Sequence, residues 1–357
     1  MPSMGCGMTI SDFSVVIDKE KVNDRILNNV ELPIQLKNNN SLPLFDIFND
    51  VIKILHEEEH LILPDFGPDP NATIYSDYSD DKKSLYEVYT FTIVDNRSNC
   101  EFMKNIKIIR HKYGLASHEI SYKDRKKSWT ERSLDDFLII CNNQLSGLIL
   151  TVLVDKNIKS LFGQKNQNTL KEIEKSFHKH GNKVKGKIAE KTLRILLIIA
   201  YLVRLLYRKK GSITWLTDRD QITEMNQEVL GKMFAYALNC TKGAKKHEVY
   251  FMNPDTFQTD NIFRDILSIS DLVAGSLMSW YRETNFPQIE CDEFTIKIIK
   301  WLSAHGIGLK KFALKISQSE QNHLCFIGHS IRVFTEKSLE NTVFIDIPLA
   351  INLETQT

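Results

Sequence analysis

The chain has 357 residues, of which 42% are hydrophobic and 25% charged, a composition typical of a globular protein and not of a disordered or fibrous one. Its 46 Lys and Arg residues and 45 Asp and Glu residues leave a formal net charge of +1, which excludes a general attraction to polyanions. The longest apolar run, residues 195–203, is about half as long as a membrane span and lies between Arg194 and Arg204. It therefore predicts a buried helix, and we expect no membrane partner.

The balanced total conceals two segments of opposite charge. Residues 1–81 contain five basic and fifteen acidic residues, a net charge of −10, whereas residues 159–210 contain fourteen basic and three acidic residues, a net charge of +11. This asymmetry predicts a surface that meets polyanions, or else a solvated pair of helices with a loop between them.

The cysteines and the first residues bear on the cellular compartment. Six cysteines are spread along the chain without a Cys-x-x-Cys pair or a His at zinc-ligand spacing, so we predict free thiols, most of them in the core. The first residues carry no charged segment followed by an apolar stretch, as a secretory signal would. We therefore expect a cytoplasmic protein.

Turn-forming residues divide the chain into three parts. Three prolines and a glycine within residues 64–70 indicate a linker, because the interior of a helix or strand does not tolerate them. Before the linker, residues 13–17 predict a strand and residues 44–59 a helix. A weaker boundary lies at residues 285–287. The predicted parts are an acidic N-terminal extension, residues 1–70; a core, residues 71–284; and a C-terminal extension of a helix and strands, residues 285–357.

The core begins with strands. Residues 72–75 and 85–94 predict a hairpin, because the second segment is dense in aromatic and β-branched residues. Residues 102–111 fit either a third strand or a short helix. Residues 134–145 have helical spacing, and residues 148–154 form the continuous apolar run that is typical of a strand buried on both faces.

Helices and strands then alternate. A basic helical insertion, residues 159–210, contains a Gly-containing loop at residues 175–187 and a long helix at residues 184–207. The following elements are a strand at 213–216, a helix at 225–238, a strand at 247–252 and a helix at 266–281. An antiparallel unit followed by such alternation predicts an α/β protein with a mixed sheet flanked by helices.

Acidic residues stand at the ends of several of these core elements. Asp77 follows the first strand, Asp218 follows the strand at residues 213–216, and Asp271 lies in an otherwise apolar helix start. A carboxylate among apolar residues is costly to bury unless its charge is compensated, and a divalent cation is one such compensator. Each acid also has a structural explanation: Asp77 as a turn residue, and Asp218 and Asp271 as helix caps.

Three further acids extend this set. Glu119 follows the ambiguous segment and is either a fourth site residue or a surface acid in an ion pair. Asp80 comes three residues after Asp77, and Asp220 comes two residues after Asp218, where strand alternation would place both on one face. The set as a whole favours a functional site, because carboxylates at the ends of several core elements are an unusual way to arrange turns.

The order of elements and the placement of these acids resemble the RNase H-like fold, the superfamily of ribonuclease H, integrases, transposases and resolvases. More specifically, the chain is similar to a widespread bacterial family of RNase H-like proteins, the domain-of-unknown-function 3800 family. That family has an Asp-Glu-Ser-Gly-like opening, a Glu-led middle segment, a strand ending in a short Asp motif and a late helix reading roughly Leu-Ala-Asp-Leu-Ile-Ala. The stretches that correspond here are SDYSD at 76–80, EISYK at 119–123, TDRD at 217–220 and ISDLVAG at 269–275.

The opening motif departs from that family. Tyr78 stands where the second acid would be, so that either Asp80 takes its role or no residue does. The match covers residues 71–282.

The resemblance implies a site for two divalent ions. Asp77 would bridge them, Asp218 and Asp271 would each bind one, and Glu119 would be a ligand or would orient the attacking water, with Asp80 and Asp220 as reserve ligands. Oxygen-only ligands suit Mg²⁺ or Mn²⁺, and two such ions assist phosphodiester hydrolysis.

The implied function is a metal-dependent nuclease acting on DNA or RNA, with bacterial antiphage defence as the role expected from the family. The alternative is a catalytically weak or inactive RNase H-like module that binds nucleic acid or a protein partner, and the acidic N-terminal extension is the expected protein-binding part. A third interpretation is a structural subunit whose acidic extension docks onto its own basic segment or that of a partner. The sequence leaves the oligomeric state open.

The basic insertion is expected to capture the substrate. Lys and Arg contacts to phosphates give affinity without sequence readout, so we expect salt-sensitive binding. The candidate nucleic-acid-binding residues are Lys175, Lys179, Lys183, Lys185, Lys187, Arg208, Lys209 and Lys210. Trp129, beside three basic residues, either stacks on a base or is a partly buried anchor.

Overall fold

The computed structural model of the protein describes residues 26–27, 29–37, 43–58, 61–158, 160–162, 168–179, 184–220, 222–223, 225–252, 261–285, 291–304, 306–318, 326–335 and 342–349. Its strands are β1 (Asn71–Ser79), β2 (Tyr86–Asp95), β3 (Gly147–Asp155), β4 (Ser212–Thr217), β5 (Glu248–Met252), β6 (Leu309–Gln318), β7 (Phe326–Thr335) and β8 (Thr342–Leu349). Its helices are α1 (Pro43–Glu57), α2 (Asn99–Lys112), α3 (Ser128–Gln144), α4 (Asn168–Lys179), α5 (Gly186–Leu206), α6 (Gln227–Asn239), α7 (Asn261–Asn285) and α8 (Glu293–Ser303).

One mixed sheet runs through the described part of the chain, with the strand order β5-β4-β1-β2-β3-β6-β7-β8. Strands β1, β2 and β3 form an antiparallel meander, and β4 and β5 run parallel to β1. On the other side, β6 runs parallel to β3, and β7 and β8 follow it as antiparallel strands. The prediction of an α/β protein with a mixed sheet is therefore confirmed.

Helices cover both faces of this sheet, because its central strands are apolar on both sides. In β1, Ile74 packs into a cluster with α1, α5 and α6, whereas the next residue, Tyr75, packs into a cluster with α2, α3, α7 and α8. In β3, Leu150 and Ile149 divide between the same two clusters. Alternate side chains of one strand thus face opposite helical layers.

The N-terminal helix packs directly on the sheet layer. Phe45 and Phe48 of α1 contact the ring of Tyr201 in α5, with centroids 5.3 and 4.9 Å apart. The side chain of Asn49 accepts hydrogen bonds from the backbone N–H of Ile34 at 2.9 Å and from the Tyr201 hydroxyl at 3.0 Å. At the other end of the chain, β6 pairs with β3 and so lengthens the same sheet. Both predicted extensions are thus continuous with the core.

The structure resolves one ambiguous segment and corrects one predicted loop. Residues 102–111 belong to helix α2, whose Phe102, Ile106 and Ile109 face the core at helical spacing. The expected Gly-containing loop at residues 175–187 is shorter than predicted, because residues 175–179 belong to the helix α4, with Phe177 in the core. Residues 13–17, the predicted N-terminal strand, lie outside the described residues.

Three simpler expectations can also be compared with the structure. The apolar run at residues 195–203 lies in the buried helix α5, and residues 64–70 form neither helix nor strand. The four cysteines of the described residues, Cys100, Cys141, Cys240 and Cys291, form no disulfide with one another, but of these only Cys141 is buried, although most cysteines were expected in the core. Within the described residues, no helix has both the length and the apolar character that crossing a membrane requires.

Candidate functional site

Three acids from distant parts of the chain meet at one end of the sheet, and we call Asp77, Asp218 and Asp271 the carboxylate cluster. Asp77 lies in β1, and Asp218 follows β4 directly. The strands are parallel neighbours with Ser76 paired to Thr217, and the N–H of Asp218 donates to the carbonyl oxygen of Ser76 at 3.1 Å. The two acids therefore stand side by side on adjacent strands, which are about 4.8 Å apart in a sheet.

Helix α7 brings the third acid over the same face. Tyr75 and Leu216, two residues before Asp77 and Asp218, belong to the cluster on the α7 side, so strand alternation directs both acids toward α7. Ser270 of α7 donates to the carbonyl oxygen of Tyr75 at 3.2 Å. The residue that follows Ser270 is Asp271, which completes the carboxylate cluster.

Burial, reinforced by mutual repulsion, raises the pKa of two acids in this cluster. Burial, followed by the charges of Asp271 and Asp218, raises the pKa of Asp77 from 3.8 to about 8. Burial also raises the pKa of Asp271 to about 6, with contributions from Asp218, Glu119 and Asp124, although a hydrogen bond from the backbone N–H of Tyr122 at 2.6 Å opposes this rise.

The described residues provide no cation that neutralises these charges. In that part of the chain, no Lys, Arg or His side chain forms an ion pair with any member of the carboxylate cluster. The described residues also contain no group of three or more His, Cys, Asp or Glu side chains placed closely enough to hold a metal ion as they stand. The all-oxygen donor set suits Mg²⁺ or Mn²⁺, and such an ion would have to draw the carboxylates together.

The structure excludes the simpler explanations of the three acids. Asp77 is not a turn residue, because it pairs with Thr90 within the β1–β2 ladder. Asp218 does not cap α6, whose N-cap is Asn226. Asp271 does not lie near a helix start as predicted, since α7 begins ten residues earlier, at Asn261.

Two of the other predicted acids lie at the rim of the cluster. Asp220 contributes to the raised pKa of Asp77 and forms an ion pair with Lys191 of α5 at 2.7 Å. Glu119 contributes to the raised pKa of Asp271, but its side chain is 48% exposed and forms an ion pair with Arg264 at 3.2 Å. Both acids are therefore partly neutralised by cations.

Asp80 and Tyr78 point elsewhere. Asp80 lies beyond the end of β1, is exposed and forms an ion pair with Lys156 at 2.5 Å. Tyr78 belongs to the opposite face of the sheet, where its ring packs against Tyr89 and its hydroxyl group shares a hydrogen bond of 2.7 Å with Ser76. The position that departs from the resembling family thus faces away from the carboxylate cluster.

The loop at residues 113–127 connects α2 to α3 and supports the cluster. Arg110 holds the loop by donating to the carbonyl oxygens of Ala116 and His118 at 2.7 and 2.9 Å, while pairing with the buried Asp265 of α7 at 2.5 Å. The same loop carries Asp124, a partly buried electrostatic neighbour of Asp271 that our sequence interpretation missed. Its only signal is a second acid, five residues after Glu119.

Gly275, the last residue of the late-helix motif, leaves room for this loop. A Cβ atom there would lie 2.3 Å from the ring of Tyr122, the residue whose N–H binds Asp271. We expect Gly275→Ala to lower the free energy of unfolding in a denaturant titration by about 1–2 kcal/mol, because overpacking outweighs the gain in helix propensity.

Gly231→Ala is the matched control for this substitution. Gly231 lies in the interior of α6, and a Cβ atom there would meet only an ordinary contact, with Phe251 at 4.0 Å. This variant should gain about 0.5–1 kcal/mol of stability. Equal stabilisation of both variants would show that Tyr122 does not pack tightly on α7.

The predicted nucleic-acid-binding residues divide between the two ends of α5. Lys185 and Lys187 are exposed at its N-terminal end, where Lys191 contacts Asp220 beside the carboxylate cluster. Lys175 is exposed on the neighbouring helix α4, and Lys179 ends that helix. Lys183 lies outside the described residues.

Arg208, Lys209 and Lys210 follow the other end of the helix. The 21 residues of α5 correspond to a length of about 30 Å. The basic residues therefore do not form one continuous surface next to the cluster. Trp129, the candidate base-stacking residue, is partly buried and stacks on His118 with ring centroids 4.5 Å apart, as expected of an anchor.

Comparison with family models, with curated proteins and with solved structures finds no match to this chain. The family suggested by the sequence motifs therefore stays a prediction.

Proposed function

We propose that the protein is a nuclease that hydrolyses phosphodiester bonds of DNA or RNA with Mg²⁺ or Mn²⁺ at the carboxylate cluster. The observation that carries the proposal is the meeting of Asp77, Asp218 and Asp271, from β1, the end of β4 and α7, without an ion pair within the described residues. Buried like charges are costly, and a bound divalent cation relieves that cost.

An RNase H-like fold is part of the same proposal. An antiparallel unit of β1, β2 and β3 precedes two strands, β4 and β5, that run parallel to β1. The three acids occupy the first strand, the end of a later strand and a late helix, which is the arrangement that the sequence resemblance implies. The absence of an acid at position 78 does not weaken this proposal, because the side chain of Tyr78 lies on the face of the sheet opposite the carboxylate cluster.

Each acid has a distinct part in the proposed site. Bound divalent ions would supply an activated water and would stabilise negative charge on the phosphate and the leaving oxygen. Asp77, whose pKa is raised by the charges of both other acids in addition to burial, would be shared between ions. The N–H of Tyr122 holds Oδ2 of Asp271 and so fixes the orientation of that carboxylate. Glu119, held at the rim by Arg264, would bind an ion or orient the water.

Cleavage assays with matched aspartate variants test the proposal. Purified protein with Mn²⁺ should cleave a single-stranded, duplex or hybrid substrate, and Asp271→Asn should abolish that cleavage. Asp155→Asn is the control, because Asp155 ends β3 at the same end of the sheet and its role, accepting a hydrogen bond from the N–H of Asn157 at 2.8 Å, is one that Asn can keep. Unchanged cleavage by the Asp271 variant would point to a contaminant or to another site.

A second function is favoured by one observation. As they stand, the described carboxylates are not close enough to hold a metal ion, and two rim acids are paired with Lys191 and Arg264. A catalytically weak or inactive module that binds nucleic acid or a protein partner would have these properties. It would bind nucleic acid without cleaving it, and its affinity would not change in the Asp271→Asn variant.

A further inference from the structure

A second basic surface lies at the end of the sheet opposite the carboxylate cluster. It combines the end of α5 and the loop before β4 with the loop before β5. These loops are neighbours, because the N–H of Glu248 donates to the carbonyl oxygen of Gly211 at 3.0 Å and Arg204 donates to that of Lys242 at 3.1 Å. We call the following residues the far-end basic cluster: Arg204, Arg208, Lys209, Lys210, Lys242, Lys245 and Lys246.

Arg204 and Arg208 together hold one carboxylate, and Lys210 separately pairs with Glu248 at 3.4 Å. The carboxylate of Glu31 receives Arg204 at 2.9 Å on one oxygen and Arg208 at 3.1 Å on the other. The hydrogen bond from Arg204, together with the charges of both arginines and of Lys245, lowers the pKa of Glu31, although burial opposes this shift. Gly243, with φ of +75°, lies against the guanidinium group of Arg204 and lets the loop close over it. Because Glu31 is 62% exposed, solvent can reach the place that it occupies.

The distance between the two sites has a consequence for the ligand. Lys191, in the second turn of α5, contacts the rim of the carboxylate cluster, whereas Arg204 lies in the last turn, about 20 Å away at 1.5 Å per residue. Duplex DNA advances about 3.4 Å per base pair, so roughly six base pairs span that distance. Paired guanidinium groups suit phosphate as well as they suit carboxylate.

We propose that the far-end basic cluster is a second nucleic-acid contact, where backbone phosphates replace the carboxylate of Glu31, so that tight binding requires a substrate long enough to reach both sites. The identity of the partner rests on the proposed function. The competition with Glu31 rests on the described contacts alone.

Binding to short and long duplexes tests this proposal without cleavage. Fluorescence anisotropy in EDTA would compare a labelled, covalently cross-linked DNA duplex of about 4 base pairs with a duplex of about 20 base pairs, together with RNA of the same lengths, over a range of salt. Lys245→Ala with Lys246→Ala should weaken binding of the long duplex about threefold to tenfold and reduce its salt dependence by about two units of slope. Binding of the short duplex should not change.

A second variant has the opposite expected effect. Glu31→Gln frees Arg204 and Arg208, so it should strengthen binding of the long duplex. The matched control is Lys104→Ala with Lys107→Ala, two exposed lysines on α2, which should leave binding of the long duplex unchanged. Since Lys245, Lys246 and Glu31 are exposed, these variants are expected to fold.

Three results would overturn the proposal: equal weakening on both lengths, no binding to either nucleic acid, or tighter binding to anionic phospholipid vesicles than to the long duplex. Wild-type protein that binds the long duplex as expected but does not cleave it would refute the proposed function and leave this second contact intact. Cleavage that depends on Asp271 but not on substrate length would support the proposed function and refute the second nucleic-acid contact.

Discussion

Replacing Asp77 by asparagine is expected to reduce Mn²⁺-dependent cleavage about a thousandfold, the equivalent of about 4 kcal/mol of transition-state stabilisation. Asn is nearly isosteric with Asp but is neutral and cannot be shared between two cations. The same variant should raise the midpoint of thermal unfolding of the metal-free protein at pH 8 to 9, because it removes a carboxylate that Asp271 and Asp218 repel.

The stability that Asp77→Asn gains over the wild-type protein should increase with pH. The folded protein holds a proton on Asp77 up to about pH 8, whereas the unfolded chain releases it near the ordinary pKa of 3.8. Folding therefore binds a proton in this window, and the wild-type protein loses stability as the pH rises through it. Asp77→Asn lacks this loss, so its advantage should be small at pH 5 and larger at pH 9.

Calorimetry or a thermal shift assay in EDTA would measure both midpoints, with Asp155→Asn as the control. An Asp77 variant that is less stable than the wild type at pH 9 would show that this carboxylate makes favourable contacts instead of facing repulsion.

Mn²⁺ or Mg²⁺ should stabilise the wild-type protein, and more strongly at pH 8 than at pH 5.5. A ligand that binds only the folded state at a hundred times its dissociation constant adds about 2.7 kcal/mol. At the lower pH, protons compete for Asp77 and Asp271, whose pKa values are raised to about 8 and about 6, so the shift should shrink.

The matched variant for this measurement carries asparagine at Asp77, Asp218 and Asp271 together. Its unfolding midpoint should not respond to either ion at either pH. A response equal to that of the wild type would place the ion outside the carboxylate cluster.

The elements of the core were predictable because their periodicity reflects burial. The apolar run at residues 148–154 predicts a strand that is buried on both faces. Strand β3 has this property, because Ile149 and Leu150 pack into opposite clusters. Helix α4 was not predicted, because its charged residues outnumber its apolar ones and only a narrow stripe, including Phe177, meets the core.

The site was less predictable than the fold, because register and packing determine it. The pairing of Ser76 with Thr217 places Asp77 beside Asp218, and sequence periodicity does not contain that pairing. Strand alternation also assigns Tyr78 to the other face, which the motif comparison treated as a site position. The start of α7 was placed too late, because its first residues are mostly polar, and so Asp271 was taken for a residue near the helix start.

The contribution of the loop at residues 113–127 was the least accessible to sequence reasoning. Tyr122, Asp124 and Arg110 act through contacts with α7, more than 140 residues away along the chain. Glu119 was found from its position after the ambiguous segment, and the structure adds its partner Arg264.

A crystal structure of the protein grown with Mn²⁺ tests the central claim most directly, through the anomalous signal of the metal. The account predicts at least one anomalous peak within about 2.5 Å of carboxylate oxygens of Asp77 and of Asp218 or Asp271. Side chains of these three residues that point to separate places, or manganese bound only elsewhere, would contradict it.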